Sequence, residues 1–244
     1  MEYKEISPII ALTPYIHTFW QLKGDDLDKQ WERNFPDACA GLVINLGDTC
    51  LTDNGSVSME FGRTYAVGAM RSFKDSFIEK HTHLFGVCLK PGMFPNFYDY
   101  VPQSEIADQT VQLERVYSFD VDTFIKNPVY YLNSFFIDRL QSRNLLLESV
   151  IKDIDQTQGQ SSIGDIAKKN FTTVRQLERN FKIQIGITPK EYSRIVRFQN
   201  ALSKIRDSAK ETSLLDIAFE CGYYDHSHLT NDIKRNTGLV PSQI

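Results

Sequence analysis

An α+β fold is predicted for this 244-residue chain: a mainly β barrel or sandwich, then an all-α region with two helix-turn-helix units joined by a long helix. Three observations predict it. Short apolar runs closed by Gly, Pro and Asn fill the first half, apolar spacing turns helical from about Pro128, and one helical pattern occurs twice in the last 85 residues.

The β elements come first. Gly41-Leu42-Val43-Ile44-Asn45-Leu46-Gly47-Asp48 is an apolar run ended by turn residues, and Thr52-Asp53-Asn54-Gly55-Ser56 contains the strongest hairpin signal in the chain, Asn-Gly. Tyr65-Ala66-Val67-Gly68 and Leu84-Phe85-Gly86-Val87-Cys88-Leu89 read as further strands, the second stopped by Lys90-Pro91-Gly92. Beyond Pro128, Tyr131, Phe135 and Leu140, then Leu146, Val150, Ile151 and Ile154, recur at helical intervals. Asp155–Gln160 lacks apolar residues and is expected to be a turn. The expected division is 1–125 as a β-rich sensing or dimerisation domain, 126–159 as a helical connector and 160–244 as the repeated module.

Within that module, Ser162-Ile163-Gly164-Asp165-Ile166-Ala167 is matched by Ser213-Leu214-Leu215-Asp216-Ile217-Ala218. In each, Ser followed by Asp three places on favours a helix start, because the hydroxyl accepts from an orphan amide and the carboxylate faces the positive helix end. A second helix then begins in each copy. Thr173 to Gln176 forms a capping box in the first, with Leu177 and Phe181 as the buried pair; Asp225 caps the second, with Leu229 and Ile233 buried. Both copies end on a Gly with Pro three residues later, Gly186 to Pro189 and Gly238 to Pro241. Thr188-Pro189-Lys190-Glu191 opens the connecting helix, whose apolar stripe runs from Tyr192 to Ile205, ending near Ser208. The units span about 162–186 and 213–237, the connecting helix about 189–208.

A helix-turn-helix with a polar, basic second helix suits a major groove, where a buried stripe anchors the helix and long donors reach base edges. A connector roughly 30 Å long would set two such helices about one DNA turn apart. The net charge of −4 is unevenly spread: residues 160–244 carry 13 Lys+Arg against 9 Asp+Glu, and residues 1–159 carry 14 against 22. A phosphate-binding surface needs local positive charge only.

At these residues the sequence resembles the AraC family of bacterial transcription regulators. The resemblance covers roughly residues 145–244 and rests on Asp165-Ile166-Ala167, Arg175-Gln176-Leu177-Glu178-Arg179, Phe181-Lys182, Gly186-Ile187-Thr188-Pro189-Lys190, Arg197-Phe198 and Ala201-Leu202. It continues through Asp216-Ile217-Ala218, Gly222-Tyr223, Asp225-His226-Ser227-His228-Leu229, Lys234-Arg235, Thr237-Gly238 and Pro241. Thr173 where Ser is usual, Ile233 where Phe is usual and the early stop at Ile244 are departures. The resemblance implies a seven-helix, two-lobed domain reading two adjacent major-groove segments of promoter DNA. By position, Arg175, Glu178, Arg179, His226, Ser227 and Asn231 would face bases, and Lys182, Thr188, Lys234 and Arg235 would meet phosphates. Pro14-Tyr15-Ile16, Phe19-Trp20, Phe35-Pro36-Asp37, Leu42–Asp48 and Gly86–Gly92 resemble the barrel-like domain that precedes this module in one subgroup. Such domains bind small effectors or pair subunits. An unknown small-molecule effector, RNA polymerase and a second copy of the chain are therefore admitted as partners, in the bacterial cytosol or nucleoid.

Other readings are weaker. Trp20, Phe35 and Tyr65, with His81 and His83, could line an effector pocket. His81-Thr82-His83 would place two imidazoles on one strand face, as in a cupin-like metal enzyme with a helical oligomerisation tail, but no Glu follows at the expected distance. Asp37, Cys39 and His81 could be imagined as a thiol nucleophile site, yet nothing in the sequence brings them together. There is no phosphate-cradling Gly loop, GxSxG or HExxH. No enzyme, cofactor or metal is expected. Cys39, Cys50, Cys88 and Cys221 are scattered without a CxxC pair and read as free thiols of a reducing cytosol. No apolar run approaches the roughly 18 residues of a membrane span, and Met1–Glu5 lacks the features of a signal peptide.

Overall fold

The structure, a computed structural model, describes residues 1–98, 102–141, 145–207 and 213–244. Its β region contains β1 (Glu2–Ile6), β2 (Ile16–Lys23), β3 (Lys29–Asn34), β4 (Gly41–Asn45), β5 (Cys50–Thr52), β6 (Val57–Met59), β7 (Thr64–Val67), β8 (Lys74–Glu79), β9 (His83–Leu89) and β10 (Thr110–Gln112). Six of these form one antiparallel sheet in the order β1-β2-β9-β4-β7-β10, while β3–β8 and β5–β6 are separate two-stranded ribbons. The Asn54-Gly55 pair lies in the β5–β6 hairpin as expected, and Asn54 takes a left-handed φ of 58°.

The barrel alternative is corrected. Among the described residues the sheet does not close, because β1 and β10 lie at its opposite edges and do not pair with each other. The short strands were legible, but strand order is fixed by long-range pairing. The alternation of side chains explains the layering. Leu42, Ile44, Phe85 and Val87 point into a core shared with Phe119, Phe124, Phe135 and Phe136, whereas Val43, Tyr65 and Leu84 pack in a second cluster with Cys50 and Met59.

The helices are α1 (Gln103–Ile106), α2 (Val121–Phe124), α3 (Pro128–Arg139), α4 (Leu145–Gln156), α5 (Ile163–Lys169), α6 (Val174–Gln184), α7 (Pro189–Asp207), α8 (Leu214–Glu220) and α9 (His226–Thr237). The segment expected to connect the halves gives one helix to each core. Leu132, Phe135 and Phe136 of α3 join the β core, and Leu147, Val150, Ile151 and Ile154 of α4 join the core of α5 and α6. The polar turn is shorter than expected: Asp155 and Gln156 complete α4, and Gln158 and Gly159 turn the chain with positive φ. Ser208 lies outside the described residues. No helix among the described residues is long and apolar enough to cross a membrane.

Candidate nucleic-acid interface

Each lobe is built by the same local rules. Ser162 Oγ accepts from Asp165 N at 3.1 Å and donates to its carboxylate at 2.6 Å; Ser213 does the same with Asp216 at 3.2 and 2.6 Å. Each such cap is worth about 1 kcal/mol. Thr173 caps α6 by accepting from Gln176 N at 3.2 Å, but the box is one-sided, since the Gln176 side chain donates to Asn180 at 3.1 Å instead of turning back. Asp225 caps α9 through His228 N at 2.7 Å.

The anchor pairs are where they were expected. Leu177 and Phe181 are buried in the core of the first lobe, Leu229 and Ile233 in that of the second. Burying one face fixes what the other presents. Arg175, Glu178, Arg179 and Lys182 are exposed on α6, and His226, Ser227, Asn231, Lys234 and Arg235 on α9. Among the described residues, Arg175, Arg179, Lys182 and Lys234 make no ion pair, whereas Lys169 binds Asp153 at 2.6 Å and Lys204 binds Glu220. Cations left uncompensated on an outward helix face are available to phosphate and base acceptors.

Two of the expected phosphate contacts are otherwise occupied. Thr188 is the cap of α7: its N–H and its hydroxyl both donate to Glu191, at 2.7 and 2.8 Å, leaving no donor for a phosphate. Arg235 lies 3.4 Å from Asp232, although its side chain remains half exposed.

Asp232 is the feature the sequence reading missed. It is buried on the anchor face of α9, accepts from the Tyr223 hydroxyl at 2.8 Å and lies 3.6 Å from Arg194 of α7. Arg197 stacks over the Tyr223 ring at 4.6 Å. Burial, then the Asp232 charge, pushes the Tyr223 phenol far above its ordinary range. The signal was present, since Asp232 falls three residues after Leu229 on the same stripe.

The β region grips both lobes. Phe35 packs on the second lobe's core while Ala38 and Ala69 enter the first lobe's core. Gln199 of α7 donates to the Pro36 carbonyl at 2.6 Å, and Arg71, bound to Asp108, reaches Glu191 at 3.5 Å. Both lobe-ending glycines sit against this region. At Gly186, φ is +94°, and a Cβ would lie 2.5 Å from the Gln103 carbonyl; at Gly238, φ is +72°, and it would lie 2.5 Å from Arg33 Nη1. Left-handed backbone favours glycine at both positions, and at Gly186 the neighbouring backbone carbonyl also leaves no room for a Cβ.

A cavity of about 550 Å³ is lined by Trp20 and Phe35 together with strands of the sheet and of the β3–β8 ribbon. Tyr65 does not line it; it is buried in the β cluster, its hydroxyl accepting from Glu60 N at 2.8 Å. His81 and His83 do not line it either. His83 opens β9 and meets the Gln21 amide at 2.7 Å, whereas His81 is exposed in the preceding turn, so the two imidazoles do not share a strand face. Burial lowers the His83 pKa, favouring its neutral form.

Residues 4–112 match a family model described as a domain of unknown function, DUF6597, and residues 166–244 match one described as a helix-turn-helix domain. Over 79 residues the chain is 33% identical to the HTH-type transcriptional activator RhaS of Escherichia coli O139:H28, covering 32% of this chain and 28% of that protein. The RhaS of Klebsiella pneumoniae strain 342 is 34% identical over 80 residues, covering 33% and 28%. The chain thus spans little more than a quarter of the length of these curated relatives. Solved structures of ToxT from Vibrio cholerae share the fold: an apo variant from strain SCE256 has a TM-score of 0.52 at 14% identity, over 92% of this chain and 96% of that one. ToxT of strain O395 bound to (E)-4-(8-methylnaphthalen-1-yl)but-3-enoic acid has a TM-score of 0.52 at 10% identity, over 100% and 98%.

Proposed function

We propose that this chain, whose helix-turn-helix domain follows a DUF6597 domain, is a sequence-specific DNA-binding transcription regulator of the AraC type. The observation that carries the reading is duplication: two capped, anchored helices turn exposed polar faces outward from a scaffold joined by the 19-residue α7. Arg175, Glu178 and Arg179 of α6 and His226, Ser227 and Asn231 of α9 read bases in adjacent major-groove segments of promoter DNA. Lys182 and Lys234 hold phosphates, with Arg235 free to join them once released from Asp232. Residues 160–244 act as the DNA-binding part, 1–125 as the sensing or pairing part and 126–159 as the connection.

The Trp20 and Phe35 cavity takes a small, partly apolar effector, and nothing in the chain is assigned a catalytic role. RNA polymerase and a second copy of the chain are further partners, and the bacterial cytosol or nucleoid is the place of action. Selection of bound duplexes from a random pool tests the reading. Two short conserved segments about one helical turn apart are expected; recovery of unenriched DNA would overturn it.

A further inference from the structure

Sequence spacing leaves Cys39 and Cys88 far apart, but strand pairing brings them together. Gly41 at the start of β4 faces Cys88 of β9, and the pairing extends one residue ahead of β4, with Leu89 N donating to the Ala40 carbonyl at 3.0 Å. Cys39, one residue earlier, is thereby set beside Cys88. Asp37 is brought in by a local turn, its carboxylate accepting from Cys39 N at 2.9 Å. The Asp37 carboxylate and the two sulfurs all lie within 4.8 Å of one another.

We infer that Asp37, Cys39 and Cys88 form a binding site for a single thiophilic divalent cation of the zinc type. Tetrahedral zinc with Zn–S near 2.3 Å needs its sulfurs about 3.8 Å apart, a separation within the 4.8 Å that bounds the three ligand atoms here. The metal-binding forms of all three groups are anions, and one divalent cation offsets the charge of bringing them together. Three protein donors leave the fourth position to solvent, and access exists: Asp37 and Cys39 line both the 550 Å³ cavity and a second one of about 500 Å³ between the β region and helices α4 and α7.

The location gives the site a consequence. Asp37 and Cys39 flank Ala38, a non-glycine residue with φ of 60° that is buried in the first lobe's core. Pro36, next to Asp37, accepts from Gln199 of the helix that joins the lobes. A cation held here fixes the short loop through which the β region grips the helical module.

Cobalt titration of the reduced full-length chain tests the inference. A thiolate-to-cobalt charge-transfer band saturating at a single equivalent, and bleached by added zinc, is expected. Cys39→Ser and Cys88→Ser should each abolish it, Asp37→Asn should weaken binding, and Cys50→Ser and Cys221→Ser should leave it unchanged. If a serine variant fails to fold, zinc protection of Cys39 and Cys88 in the unaltered chain against iodoacetamide, mapped by mass spectrometry, reports the same binding without any substitution. Absence of the band and of protection, or a band that survives both serine variants, overturns the site.

Discussion

The Arg33 guanidinium in β3 donates to the carbonyl of Thr237, the last residue of α9, at 2.9 Å. The same side chain forms a two-pronged pair with Asp75, at 2.7 and 2.8 Å, and lies 4.0 Å over the Phe73 ring. A free helix-end carbonyl is thus satisfied by a cation, which also suits the negative end of the helix. The β ribbon thereby fixes the exit of α9.

Arg33→Ala is expected to uncouple that helix from the β region without unfolding either. Because the side chain is about a third exposed, the stability loss should be about 1 kcal/mol. Hydrogen exchange resolves the effect: amides at the end of α9 and at Gly238 should exchange faster, while those of α6 stay protected. Equal protection throughout would show that Arg33 holds nothing in place.

Tyr223→Phe isolates the buried network of the second lobe. The substitution keeps the ring under Arg197 but removes the one short hydrogen bond that Asp232 receives, among the described residues, from outside α9. A carboxylate left with partners at 3.4 and 3.6 Å should cost about 1–3 kcal/mol. Urea unfolding of Tyr223→Phe, Asp232→Asn and the double variant checks this; the double should be much less damaging than the sum, and simple additivity would remove the coupling.

The contrast between these two sites shows what the sequence made legible. Local signals carried far: Ser162, Thr173, Ser213 and Asp225 cap the helices as expected, and Leu177, Phe181, Leu229 and Ile233 are buried. Such features depend on neighbours within one helical turn. Arg33–Thr237 and Cys39–Cys88 depend on residues 204 and 49 positions apart, so no window of spacing contains them. His81 and His83 failed for the opposite reason, because alternation means nothing until a strand boundary is known, and β9 begins only at His83. Thr188 was visible as a cap and was still expected at phosphate, although one hydroxyl proton serves one acceptor.

Two carboxylates of α4 should give the first lobe a composite acid response. Asp153 accepts from Lys169 at 2.6 Å and Asn170 at 2.7 Å, and the Lys169 bond leads in holding its pKa below the ordinary value. Its stabilisation is present above the unfolded-state pKa and is lost as pH falls through the lower folded value. Lys169 is largely solvated, so the amount is at most about 1 kcal/mol. Asp155, raised mainly by burial against a hydrogen bond from Tyr192, has the reverse sign: its contribution is full below the unfolded pKa and disappears as pH rises through the folded value. Urea midpoints from pH 7 down into the carboxylate range should therefore fall less steeply in Asp153→Asn and more steeply in Asp155→Asn. Parallel curves for all three proteins would defeat the assignment.

Arg179 and Lys182 lie three residues apart on α6, both exposed and neither ion-paired among the described residues, yet they should fail differently. An arginine fork on base acceptors discriminates, so Arg179→Ala should cost about 1–3 kcal/mol on the selected site and relax preference at the positions it reads. Lys182, in the proposed reading, would offer the DNA backbone a point charge only. Lys182→Ala should weaken selected and scrambled duplexes alike and reduce the slope of log affinity against log salt by about 1. Titrations of both variants across salt, on both duplexes, separate the roles. Arg179→Ala losing equal affinity on the two duplexes would move it to the phosphates, and an unchanged salt slope in Lys182→Ala would remove that lysine from the interface.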